Sequence, residues 1–173
     1  KAKNLSEFYK ILKMKALPGY NIGYADRNDT IFYISNGLLP KRAKGYDWEN
    51  VVPGNTRKTL WTTTYDIEEL PQVLQHNSGY VYNANHTPFR SSGQKDNPIQ
   101  ENFDEAMGFE TYDNNRSTRL KELIDQYDRL DYNDFKTIKY DHQYPNPYKD
   151  IIPIANRFNI FSCKTSSSTW VRF

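Results

Sequence analysis

The chain has 173 residues, enough for one domain with a real core, and its net charge of +2, from 23 basic and 21 acidic residues, gives no case for nucleic acid or an anionic membrane surface as partner. Only 37% of the residues are hydrophobic while 15% are aromatic, so apolar surface is carried largely by rings with polar tips, and the low aliphatic content points to a part of something larger. One cysteine excludes an intrachain disulfide, and no apolar run is long enough for a transmembrane helix.

Cys163 reads as a plain structural thiol, because nothing around it supplies the base and orienting group that a nucleophile needs. No signal peptide opens the chain at Lys1, so the expectation is either a cytosolic protein or a leader lying upstream.

Residues 4–16, "NLSEFYKILKMKA", read as a helix capped by Asn4 or Ser6, with Leu5, Phe8, Tyr9, Ile11, Leu12 and Met14 near a 3–4 spacing and Pro18-Gly19 as the stop. Residues 20–37 carry a hairpin signal. Tyr20, Ile22 and Tyr24 alternate, Asp26 to Asp29 supply turn chemistry, and Ile31 and Tyr33 alternate again. Residues 38–64, with Pro40, Gly45, Pro53 and Gly54, read as a long ordered loop with at most short strands. "DIEELPQVL", 66–74, suggests one or two helical turns broken at Pro71.

"SGYVYNANHTPF", 78–89, begins like a strand at Tyr80, Val81 and Tyr82, then sets Asn83 and Asn85 before a His-Thr-Pro break. Residues 90–102 form a polar surface loop. "NNRSTRLKELIDQY", 114–127, is the clearest helix, with an apolar stripe of Leu120, Leu123, Ile124 and Tyr127. Residues 131–141 give a second helix capped by Asp131 or Asn133, and 145–158 a third that Pro153 would break. The fold class is α+β, strands in the first half and helices in the second.

The ordered series "LPGYNIGYAD", "GLLPKR", "VPGNTRKTLW", "LPQVLQHNSGYVYNANHTPF", "MGFETYDNNRSTRL" and "FKTIKYD" resembles the penicillin acylase family, the N-terminal nucleophile amidohydrolases that include acyl-homoserine lactone acylases. The resemblance implies an αββα sandwich, made as one precursor cut into an α chain and a longer β chain whose first residue is the nucleophile and whose α-amine is the base. Lys1 is no such nucleophile, so the resemblance reads the chain as an interior segment of the β chain. It is family-like over 1–145, with 146–173 a helical or irregular tail. The implied partners are the α chain, the N-terminal part of the β chain and a small-molecule acyl amide, in a periplasmic or secreted protein.

Amide hydrolysis passes through a tetrahedral oxyanion, and a fixed neutral donor beside that oxygen lowers the barrier by roughly 3–4 kcal/mol. The resemblance matches Asn85 to the family's oxyanion-hole asparagine, with Asn83 bracing the turn. Read from the residues alone, both asparagines end a strand in an Asx turn. The resemblance also matches Arg116 to an arginine near the nucleophile, where a cation disfavours protonation of the amine. Arg119, one turn on, competes for that place, and a helix-start arginine in a salt bridge is the plain alternative. Of the three histidines, none has zinc-motif spacing, and His86 is not needed as a base because the amine serves.

No cofactor is expected. Some relatives carry a structural calcium, for which Asp104 and Glu105 of "FDEAMG" are the matching acidic residues, but calcium needs six or more oxygens and two carboxylates read as solvated charge. Asp26, Asn28 and Asp29 lack the other ligands of a calcium loop and read as turn chemistry. Tyr80, Tyr82, Phe89 and Trp61 are candidates for walling an acyl pocket. The alternatives to an amidase segment are an aromatic-rich binding module, which predicts evenly spaced strands without long helices, and an inactive acylase homologue.

Overall fold

The computed structural model describes residues 1–74 and 77–145. The chain divides into two compact units, Lys1–Ser117 and Thr118–Phe173.

The first unit opens with α1 (Leu5–Leu12). Asn4 caps it by accepting the Glu7 N–H at Oδ1 (2.9 Å), and Glu7 returns the favour to the Lys3 N–H (2.9 Å). The helix ends four residues sooner than the apolar spacing predicts. Lys15 takes a left-handed φ of 51°, and its ammonium donates to Thr64 Oγ1, the Tyr65 carbonyl and Asp66. Met14 accordingly lies exposed rather than on the buried stripe.

β1 (Tyr20–Ala25) and β2 (Ile31–Asn36) pair antiparallel, Tyr20 facing Asn36 and Ala25 facing Ile31. The Asp26 carboxylate builds the turn between them. It accepts the Asn28 N–H at 2.8 Å and the Thr30 N–H at 3.3 Å, and the Tyr24 hydroxyl donates to its other oxygen at 2.8 Å. These bonds, the Asn28 amide first, hold the Asp26 carboxyl below the usual carboxylate range. The turn reading of "DRND" is therefore the one the structure shows.

A third strand, β3 (Gln72–Leu74), pairs antiparallel with β2 and makes it the central strand. The sequence reading had helical turns over 66–74. One 3₁₀ turn is present at Ile67–Glu69, boxed by Asp66 and Glu69, and the chain turns extended at Leu70 before Pro71. Paired on both edges, β2 buries Phe32, Tyr33 and Ile34 almost completely. Leu12, Tyr65, Ile67, Leu70 and Met107 close the core around Phe32 and Ile34, with Phe8 stacked on Tyr24 and Tyr9 edge-on to Phe32.

The strand expected at 80–82 is not formed. Their backbone bonds instead to the following loop: the Tyr82 N–H donates to the Ser91 carbonyl (2.9 Å) and the Ser92 hydroxyl to the Tyr80 carbonyl (2.8 Å). β-formers here cover a loop instead of joining a ladder.

The first unit ends in the first turn of α2 (Asn115–Ile124). In the second unit, α3 (Tyr132–Lys139) is capped reciprocally by Asp131 and Asp134. Arg119 grips Asp141 through two parallel bonds of 2.9 and 2.8 Å and also reaches Glu122, and the guanidinium holds Asp141 below the usual carboxylate range. The third helix expected at 145–158, His76 and Cys163 lie outside the described residues, Pro145 apart. A small antiparallel sheet with helices of eight to ten residues is a mixed α+β arrangement, unlike the evenly spaced strands that a binding module predicts. Among the described residues no helix is long and apolar enough to cross a membrane.

Candidate functional site

The "NANH" segment makes a turn that local chemistry specifies. The Asn83 side-chain oxygen accepts the Asn85 N–H at 2.8 Å, an Asx turn, and Asn85 takes φ 54°, a conformation that Asn tolerates better than most residues. The Asn83 NH2 group reaches the Tyr33 hydroxyl at 3.3 Å and the His86 carbonyl at 3.4 Å. Tyr33 belongs to central strand β2, and burial pushes its phenol well above the usual range, so it stays neutral and donates to Asn21 Oδ1 at 2.7 Å. The turn is thereby pinned to the most buried strand of the sheet.

His86 sits beneath the turn, buried and stacked on the Tyr82 ring at 5.0 Å between centroids. Its Nδ1 accepts the Ala84 N–H at 3.1 Å and its Nε2 donates to the Arg90 carbonyl at 3.0 Å, a pattern that assigns the ring proton to Nε2. Both ring nitrogens are thus engaged in holding the turn and the loop that follows it. Asp113 stands beside it, paired with Arg90 and accepting from the Ser117 hydroxyl at 3.1 Å.

Asn85 differs from Asn83 in where its side chain bonds. Its side chain is not tied into its own turn: the Oδ1 atom accepts a hydrogen bond from Arg116 Nη2 at 3.1 Å. A guanidinium only donates, so it must hold the oxygen end of the amide, and the NH2 end has no acceptor among the described residues. Both residues are exposed on this chain. Arg119, the rival for this contact, is held by Asp141 and Glu122 in the second unit. The two residues singled out in the sequence thus meet, and the arginine that meets Asn85 is Arg116.

The remaining candidates fall elsewhere. Asp104 caps the 3₁₀ turn Glu105–Met107 through the Ala106 N–H (2.9 Å), and the Tyr65 hydroxyl donates to its second oxygen (3.3 Å). Among the described residues no three His, Cys, Asp or Glu side chains gather closely enough to hold a metal ion. The four aromatic candidates do not converge. Trp61 packs with Trp48 around Arg42, Tyr80 lies against Tyr82, and Phe89 joins Phe103 and Phe109 at a cavity of about 730 Å3.

One residue that the sequence reading passed over is central. Asn114 donates through Nδ2 to the carbonyls of both Ala84 and Asn85, each at 2.9 Å, and accepts the Ser117 N–H at Oδ1, also at 2.9 Å. The signal available was Asn114 followed three residues later by Ser117, a cap spacing at the start of a helix.

The sequence profile of the penicillin amidase family matches residues 1–166, which runs past the last quoted motif into the tail. Penicillin G acylase of Escherichia coli is 35% identical over 130 residues, 75% of this chain. The same alignment covers 14% of that relative, so the chain spans a small part of the length of the curated protein it matches. A match over nearly the whole chain, with a relative at this identity, settles the classification: the chain belongs to the penicillin amidase family.

Proposed function

We propose that this chain works as part of a larger acylase that hydrolyses linear acyl amides, and that the Asn85 NH2 group donates to the oxyanion formed during that reaction. The observation that supports this reading is the 3.1 Å bond from Arg116 Nη2 to Asn85 Oδ1. It fixes the amide's orientation and polarises it, since a cation on the oxygen end makes the N–H end a stronger donor.

In the proposed cycle a nucleophile from outside this chain adds to the amide carbonyl carbon. The carbonyl π electrons move to oxygen, where Asn85 meets the developing charge. The C–N bond then breaks, the amine leaves with a proton, and water releases the acyl group as a carboxylic acid. Asn85 neither gains nor loses a proton in any step, which suits a neutral amide. Arg116 holds Asn85 and adds positive potential that keeps an amine base unprotonated. A four-layer sandwich around this segment, and residues that complete the oxyanion hole from outside it, belong to the same proposal.

The test is Asn85→Ala in the complete acylase. Losing one oxyanion donor lowers kcat by about 100- to 1,000-fold, with solubility and thermal midpoint unchanged. Turnover within a few-fold of the parent enzyme would reject the role.

A further inference from the structure

We propose that Asn114 is a positioning residue for the Asn85–Arg116 pair, one side chain that fastens the turn carrying Asn85 to the helix start carrying Arg116. The inference rests on the reading of Asn85 as an oxyanion donor. Asn114 is the residue immediately ahead of α2, and its two ends face different elements. The Oδ1 atom accepts the Ser117 N–H at 2.9 Å while the Asn114 N–H donates to Ser117 Oγ at 3.0 Å, a reciprocal cap on the first turn of the helix. Ser117 is completely buried, so this end is anchored.

The NH2 end does something a cap does not require. It donates to two successive carbonyls, Ala84 and Asn85, at 2.9 Å each. In an extended strand successive carbonyls point to opposite sides. Here the left-handed φ of 54° at Asn85 lets one NH2 group serve both. Further local support for that conformation comes from Asn83 Oδ1 on the Asn85 N–H and His86 Nδ1 on the Ala84 N–H. Asn83 and His86 therefore hold the turn's N–H groups, and Asn114 holds its carbonyls. Because Asn114 also caps the helix on which Arg116 stands, its amide links the Asn85 turn directly to that helix start, alongside the Arg90–Asp113 pair and the bond from the Thr87 N–H to the Tyr112 carbonyl (3.4 Å). An oxyanion donor loses its value with displacements well under 1 Å, so this linkage bears on rate.

A residue that only caps a helix is replaced without loss by another capping residue. Asn114→Ser retains a capping oxygen and lacks the two donors. Asn114→Asp retains the oxygens and points a carboxylate at two carbonyls. The experiment places both substitutions in the complete acylase, alone and combined with Asn85→Ala, and measures kcat, KM and thermal midpoint. With Asn85 present, each is expected to lower kcat at least tenfold with KM within about threefold, while the midpoint stays near the parent's. In the Asn85→Ala background the same substitutions are expected to change kcat by less than about threefold, since the group they position is gone. Parent-like kcat in Asn114→Ser overturns the inference and leaves the Asn85 reading standing. Equal losses in the two backgrounds also overturn it, because they mark general damage. Parent-like kcat in Asn85→Ala alone rejects the Asn85 reading, and the Asn114 inference falls with it.

Discussion

Arg116 offers two separable effects, one of geometry and one of charge. Its guanidinium donates to Asn85 Oδ1 at 3.1 Å. A hydrogen bond to a charged group contributes about 1.5–3 kcal/mol when shielded. Both partners are exposed on this chain, so screening reduces the figure to about 1–2 kcal/mol. If the bond's function is to hold the amide in place, Arg116→Gln should lower kcat by about 5- to 30-fold. The charge effect has its own sign. A cation near an amine disfavours its protonation, so the amine's pKa is lower with Arg116 than without it. Activity needs the free amine and is lost as pH falls through that pKa. Removing the cation raises the pKa, and the acidic limb of the kcat/KM profile should move upward, by about one pH unit. Arg116→Lys keeps charge without the planar fork, so it should lose rate while leaving the limb where it was. The assay is the initial rate on a chromogenic acyl anilide across the acidic limb for the parent and both variants. Unchanged rate and an unmoved limb in Arg116→Gln would refute the reasoning.

The hairpin turn should be acid-sensitive. The Asp26 carboxyl lies below its ordinary range because the Asn28 amide, the Tyr24 hydroxyl and the Thr30 amide bond to its charged form. A lowered folded-state pKa gives stabilisation that is present above the unfolded value and lost as pH falls through the folded one. Amide exchange at Asn28 and Thr30, corrected for its intrinsic rate, should therefore quicken below about pH 4, and Asp26→Asn should reproduce the change at neutral pH. Gly93→Ala should weaken the loop beside the site: a Cβ there would lie 2.5 Å from Ser78 Cβ and disturb the 2.9 Å contact between the Ser78 and Ser92 hydroxyls. A lowered thermal midpoint, corresponding to about 1–3 kcal/mol of overpacking, is the expected outcome, and an unchanged midpoint would show that Ser78 yields freely.

The hairpin was legible in the sequence because Tyr20, Ile22 and Tyr24 alternate up to an aspartate that can bond its own turn. The helices announced themselves through Asn4 and Asp131 at the starts of α1 and α3 and through the apolar stripe of α2. β3 escaped because three residues behind a proline carry too little periodicity, and its place is fixed by β2 across a separation of about forty residues. The opposite error at 80–82 has the same source: Tyr, Val and Tyr favour a strand, yet whether a strand forms depends on a partner that the sequence does not name. At the site, residue type and order were enough to mark Asn85 and Arg116 through the family resemblance. The meeting of the two, and the Asn114 amide that joins their elements, are contacts between segments about thirty residues apart, which local pattern does not encode.

The central claim is that the Asn85 NH2 group recognises the oxyanion rather than the substrate amide. Its most direct test compares the binding of two inhibitors, an anionic tetrahedral analogue of the intermediate and a planar amide analogue of the substrate, to the complete acylase and its Asn85→Ala form. The account predicts that the substitution weakens the tetrahedral analogue about 100-fold or more, in step with kcat/KM, and leaves the planar one nearly unchanged. Equal weakening of both ligands, or of neither, would contradict it.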